Sequence, residues 1–144
     1  MIIHLATDHA GYLHKEAVKK YLETQGIEVV DHGALSLDDQ DDYPDFVALA
    51  SVAVAQDQES MGIVFGGSGQ GEAMVANRIN GVRAAVYYGG PADIVTLSRE
   101  HNAANILSIG ARFVSIEDSI EVIRLWLETP FSNDERHIRR LNKF

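Results

Sequence analysis

What most constrains this chain is a couplet that recurs along its whole length: a short apolar run, then a stretch with helical spacing. The apolar runs are Ile2 to Ala6, Ile27 to Val30, Met61 to Phe65, Val82 to Tyr88 and Ile106 to Ile109. Short, apolar and rich in β-branched residues, they read as buried strands. Between the first two lies a helix from Gly11 to Gln25, with Leu13, Ala17, Val18, Tyr21 and Leu22 on helical spacing and Gly26 as its terminator. Pro44 sits in the first turn of a helix running to about Ala55. Further helices are expected from about Glu72 to Ile79, from Ala92 to Ala103, and from a Ser115 cap through Leu127. Thr129-Pro130 breaks the chain, and Ser132 with Glu135 has the form of a capping box for a last helix, about residues 132–143.

Strands alternating with helices demand right-handed crossovers and a parallel sheet covered on both faces. The expected fold is a single doubly wound, Rossmann-like α/β domain spanning residues 1–144, with a sheet of about five strands. No internal repeat, linker or low-complexity segment interrupts it. A chain of 144 residues, 46% of them hydrophobic, suits one domain with one core. In such sheets ligands bind beyond the carboxyl ends of the strands. The residues that follow each strand are therefore the candidates for chemistry.

Several chemistries are excluded at once. With no cysteine there is no disulfide, thiolate metal site or cysteine nucleophile. No apolar run approaches the roughly 20 residues that span a bilayer. The start, MIIHLATDHAG, lacks the basic flank of a signal peptide, so a cytoplasmic location is expected. A formal net charge of −9 argues against nucleic acid or anionic lipid as partners. His4, His9, His14, His32, His101 and His137 form no H-x-x-x-H pair, so no metal site is expected. The acidic stretch Asp38, Asp39, Asp41, Asp42, Asp45 lacks the glycine and final glutamate of a calcium loop and reads as a solvated loop.

Four groups of residues carry the candidate chemistry. Asp8 and His9 follow the first strand; a carboxylate there can accept from sugar hydroxyls and an imidazole can bind an anion or exchange a proton, although Asp8 also suits a simple helix cap. The third strand runs straight into Gly66-Gly67-Ser68-Gly69-Gln70-Gly71. Its glycines let backbone N–H groups converge, as a nest for a phosphate or a developing oxyanion. The loop lacks both the Walker ending and the dinucleotide fingerprint spacing. Glu72 adjoins it, either as a first-turn glutamate favoured by the helix dipole or as a base beside oxyanion donors. His101 and Asn102 end the fourth helix, offering a proton donor and an amide. Arg112 follows the fifth strand, and Arg136 and Arg140 share a face of the last helix, which suits a phosphate or else a solvated helix end. His137 and Arg139 are expected to point elsewhere, to a surface or an interface.

Taken in order, these residues resemble the type B ribose-5-phosphate isomerases, in the family that also holds galactose-6-phosphate and allose-6-phosphate isomerases. The resemblance covers almost the whole chain: D-H-A-G after the first strand, D-Y-P at 42–44, G-G-S-G-Q-G-E at 66–72, A-N-R at 76–78 and G-V-R-A at 81–84. It continues through R-E-H-N at 99–102 and N-x-L-x-x-G-A-R at 105–112 to the T-P-F-S…R-H-x-R-R ending at 129–140. It implies a cofactor-free and metal-free aldose–ketose isomerase of the pentose phosphate pathway, acting on a small sugar phosphate as a homodimer or tetramer with sites shared between subunits. By the same resemblance, Asp8, His9 and Tyr43 contact substrate, residues Gly67, Ser68, Gly69, Gln70 and Gly71 stabilise the enediolate, and His101 opens the ring. Asn102 holds the sugar, and Arg112, Arg136 and Arg140 grip the phosphate, the last helix reaching the partner. Some relatives carry a cysteine base at the position of Gly66; here the resemblance passes that role to Glu72. A six-carbon sugar phosphate, or a non-catalytic phosphometabolite or nucleotide sensor, are the alternatives.

Overall fold

Burial of the central strands on both faces explains the layering. The computed structural model describes residues 1–144 and contains β1 (Ile2–Thr7), β2 (Glu28–Asp31), β3 (Met61–Gly66), β4 (Ala84–Tyr87) and β5 (Ile106–Gly110). All pair in parallel, in the order β2-β1-β3-β5-β4. The helices are α1 (Tyr12–Thr24), α2 (Tyr43–Gln56), α3 (Gln70–Ala76), α4 (Asp93–Asn102), α5 (Ile116–Glu128) and α6 (Glu135–Leu141).

Ile3, Leu5, Ile63, Phe65, Leu107 and Ile109 face one side, where they meet Val18 and Leu22 of α1, Val95 of α4 and Val122, Ile123 and Trp126 of α5. Ala6, Val64 and Ile106 face the other side, against Val47, Ala50 and Val54 of α2 and Ala76 of α3. Crossovers toward β2 (α1) and from β4 to β5 (α4) run one way along the sheet, and those through α2 and α3 run the other, so right-handedness alone puts them on opposite faces. The sheet is therefore doubly wound, as the alternation of elements implied.

The differences from the sequence reading are local. Leu13, placed on the apolar stripe of α1, is 70% exposed, whereas Lys15 is fully buried. A short 3₁₀ turn at His9–Gly11 precedes α1, whose buried stripe runs through Lys15, Val18 and Leu22, and the Lys15 ammonium finds Asp31 at 2.6 Å and Glu16 at 2.8 Å. The capping box is not formed: α6 is capped at Asp134 without a side-chain bond, because Ser132 Oγ is engaged with the His137 ring at 2.9 Å. Ser115 does cap α5, accepting from the Asp118 N–H at 3.0 Å. No helix is long and apolar enough to cross a membrane.

Candidate active site

The winding changes direction at β1 and β3, so their carboxyl ends diverge around a crevice. Thr7 Oγ1 donates to the Phe65 carbonyl at 3.1 Å and pins the two ends together. Beyond β3 the chain turns into α3 through Gly69, whose φ of +77° lies in the left-handed region that suits glycine. This loop is clipped to the end of β5: the Ala111 N–H donates to Gly66 O at 2.8 Å, the Arg112 N–H to Gly67 O at 3.1 Å, and the Ser108 hydroxyl to Gly69 O at 2.6 Å. The carbonyls of Gly66, Gly67 and Gly69 are thus occupied, while the N–H groups of Gly67, Ser68 and Gly69 make no hydrogen bond within the chain. A rigid loop with free amides is what an oxyanion requires.

Glu72 folds back from the first turn of α3 onto Gly66. A Cβ at position 66 would lie 2.6 Å from Glu72 Oε2 and nearer still to Oε1 and the carboxyl carbon, so the carboxylate occupies the place of a side chain there. Glu72 is only 4% exposed. Burial is the largest influence on it and pushes its pKa up. A bond from its own backbone N–H pulls down, the Asp8 charge pushes up and Arg112 pulls down, leaving the pKa above the ordinary carboxylate value.

Around this carboxylate the walls close in. The Tyr43 hydroxyl would lie 2.5 Å from a Cβ on Gly71, and the Arg112 guanidinium 3.1 Å from one on Gly67, so both side chains rest directly on the loop. Asp8 is buried and accepts from the Ala10 N–H at 3.0 Å, which realises the cap reading of the sequence while leaving its second oxygen at the cavity. The resulting cavity holds about 340 Å³ and is lined by Asp8, His9, Tyr43, Gly67, Ser68, Gly71, Glu72 and Arg112, with Ala10. A larger hollow of about 520 Å³ opens at the amino ends of the strands, but its Arg83 and Arg99 are spent on backbone carbonyls at the end of α4.

Not every candidate is gathered here. Gly69 serves the turn and Gln70 is exposed outside the cavity. His101, Asn102, Arg136 and Arg140 lie away from the cavity within one chain, so Arg112 does not converge with the helix arginines. Arg136 instead stands 3.7 Å from Asp134, exposed. His137, expected at a surface or an interface, is 2% exposed within its own chain, with its ring 4.2 Å from that of His101.

Asp41 was missed by the sequence reading. Its stretch was read as solvated, yet its side chain is 9% exposed and takes two bonds from His9, one from the backbone N–H at 2.9 Å and one with ring Nδ1 at 2.7 Å. The only sequence signal was its place just before D-Y-P. Asp8, His9 and Asp41 offer donor atoms within 4.8 Å of one another. His9 Nδ1 and Asp41 Oδ1 are consumed by each other, which is a hydrogen-bonded pair and not an open cage for an ion.

Comparison with known proteins places this geometry. The family model described as Ribose/Galactose Isomerase matches residues 3–144. Ribose-5-phosphate isomerase B of Mycobacterium tuberculosis (strain ATCC 25618 / H37Rv) is 38% identical over 142 residues, 99% of this chain and 86% of that protein. The Escherichia coli (strain K12) ribose-5-phosphate isomerase B is 33% identical over 134 residues, 93% of this chain and 87% of its own. Among solved structures, ribose-5-phosphate isomerase B from Mycoplasma genitalium with bound ribulose-5-phosphate superposes with a TM-score of 0.93 at 35% identity, covering 99% of this chain and 92% of that one. The Thermotoga maritima ribose 5-phosphate isomerase gives 0.91 at 39% identity over 99% and 95% of the two chains. Matched end to end in sequence and in fold, the chain belongs to the ribose/galactose isomerase family.

Proposed function

We propose that this protein interconverts ribose 5-phosphate and ribulose 5-phosphate through a cis-enediolate, with Glu72 as the base. The observation that carries the reading is the buried Glu72 carboxylate lying against a glycine loop whose amides are free. Once the furanose is open, Glu72 takes the proton from C2. The electrons move toward the C1 carbonyl, and the charge arriving on its oxygen is met by the amides of residues 67–71 and the Ser68 hydroxyl. Glu72 then returns the proton to C1, and a proton moves from the C2 oxygen to the C1 oxygen, leaving the ketose. Asp8 and His101 assist the ring opening, Asn102 holds the sugar, and His9, Tyr43 and Arg112 contact the substrate. Phosphate binding by Arg112, Arg136 and Arg140 supplies remote binding energy that orients the reacting carbons.

The active unit in this reading is a homodimer, or a tetramer of two such dimers, in which α6 and the end of α4 complete the partner's cavity. What supports it is that His101, Asn102, Arg136 and Arg140 stand outside the cavity of their own chain. The compartment is the cytoplasm, since a phosphorylated sugar does not cross a bilayer unaided. The five-carbon substrate draws support from the relatives' names and from the relative solved with ribulose-5-phosphate. A non-catalytic sensor has no use for a buried carboxylate held against free amides.

Steady-state assays with ribose 5-phosphate and with six-carbon aldose phosphates test the proposal. Wild type is expected to prefer the pentose in kcat/KM. Glu72→Gln keeps the shape and removes the base, so kcat should fall by about 10²–10⁴ while phosphate-ligand binding survives. Near wild-type turnover in that variant would remove Glu72 from the mechanism.

A further inference from the structure

Asp41 is the one nearly buried acid at the cavity that the reaction as described does not use. Its Oδ1 accepts twice from a single residue: from the His9 backbone N–H at 2.9 Å and through the His9 ring Nδ1 at 2.7 Å. The two bonds fix both where His9 leaves β1 and how its ring is turned. Because Nδ1 is consumed, Nε2 is the nitrogen left for a ligand. The other oxygen, Oδ2, is buried with no hydrogen-bond partner. A carboxylate oxygen kept out of water without a donor is costly. Holding it there is reasonable if the charge acts on His9, and the His9 ring, 29% exposed, is the group that the carboxylate faces.

We propose that Asp41 is a positioning residue for the isomerase reaction, clamping the backbone and ring of His9 so that a protonated imidazole presents Nε2–H to the bound sugar phosphate. The groups around His9 agree. Asp8 at the end of β1, Tyr43 of α2, Glu72 of α3 and Arg112 beyond β5 line the cavity with His9, Asp41 holds its ring and Asp39 acts on it through charge, so carboxylates outnumber the one guanidinium. The Asp41 bond is the largest influence on the His9 pKa and raises it above the ordinary histidine value; desolvation opposes, and Asp8, Asp41 and Asp39 add to the rise. A raised pKa keeps the proton on to higher pH. His9 therefore remains a cation for an anionic ligand over a pH range in which a free histidine is neutral.

The inference rests on His9 as a substrate contact, and the experiment separates the two. Histidine ¹⁵N and ¹³C resonances of the intact protein are titrated without substrate, with His9 assigned by its loss in His9→Asn. In wild type, Nδ1 should stay protonated throughout, Nε2 should be the nitrogen that titrates, and the midpoint should lie above 6.5. Nε2 protonated with Nδ1 titrating would overturn the clamp with no variant needed. Asp41→Asn keeps an acceptor oxygen and removes the charge. The His9 midpoint should drop, and the KM for ribose 5-phosphate should begin to rise at correspondingly lower pH, with kcat changed much less. An unmoved midpoint, or a fall in kcat at constant KM, sinks the assignment. If instead the midpoint moves while His9→Asn leaves KM untouched, the clamp stands and the substrate-contact role of His9 falls.

Discussion

Glu72 lives under opposed demands. As the proposed base it must be ionised, yet burial favours its neutral form; the backbone N–H and Arg112 work against that burial and Asp8 works with it. Raising a carboxylate's pKa also raises its strength as a base, provided the working pH stays above it. The position of the carboxylate matters as much as its charge. In Gly66→Ala the new methyl would fall on the Glu72 carboxyl group, which must move away. Displacement of a base by about an ångström costs on the order of 10²-fold, so kcat should fall by about that factor while far-UV circular dichroism stays unchanged. Wild-type kcat in Gly66→Ala would show that Glu72 does not act from this position. Glu72 could be named from the sequence because it adjoins a glycine loop that follows a strand. Asp41 could not, because its burial comes from folding of the segment over His9, and five aspartates in eight positions look alike when only their solubility is considered.

At the scale of elements, α6 is a short helix held by a few polar contacts. The His137 ring packs 4.2 Å from that of His101, Ser132 Oγ meets His137 Nδ1 at 2.9 Å, and the Ser132 N–H donates to the Glu100 carbonyl at 3.1 Å. These tie the arginine helix to the end of α4. Burial lowers the His137 pKa below the ordinary histidine value, His101, Arg136 and Arg140 add to the fall and Asp134 opposes it. His137→Ala should free both α6 and the His101 ring, lowering kcat/KM about ten- to a hundredfold and lowering Tm, whereas His137→Gln, able to keep the Ser132 contact, should recover part of the loss. Activity and Tm equal to wild type in His137→Ala would exclude this tether. Strands and helices were legible in order because burial on both faces demands apolar runs, as in β1, β3 and β5. Ends were less so. Val82 and Arg83 read as strand but precede β4, and Ser132 reads as a cap but is recruited by a histidine five residues on.

The whole molecule, as one chain, holds two groups of site residues that do not meet. Asp8, His9, Tyr43, the glycine loop, Glu72 and Arg112 share one cavity; His101, Asn102, Arg136 and Arg140 stand outside it. All of them could be picked out from the chain, but in the proposed dimer which copy serves which cavity is a property of assembly and leaves no mark on a single sequence. Mixing provides the check. Glu72→Gln and Arg140→Ala, each inactive alone, should on co-refolding at equal amounts restore about a quarter of wild-type activity, because half the dimers are mixed and each has one intact site. No recovery would place both groups in the same chain's site. The seat shared by residues 66 and 72 also couples them. Because the Glu72 carboxyl fills the room of a side chain at position 66, the two positions form a single steric unit. Substitutions at one are expected to be non-additive with substitutions at the other, since a side chain at 66 fits only beside a shorter residue at 72.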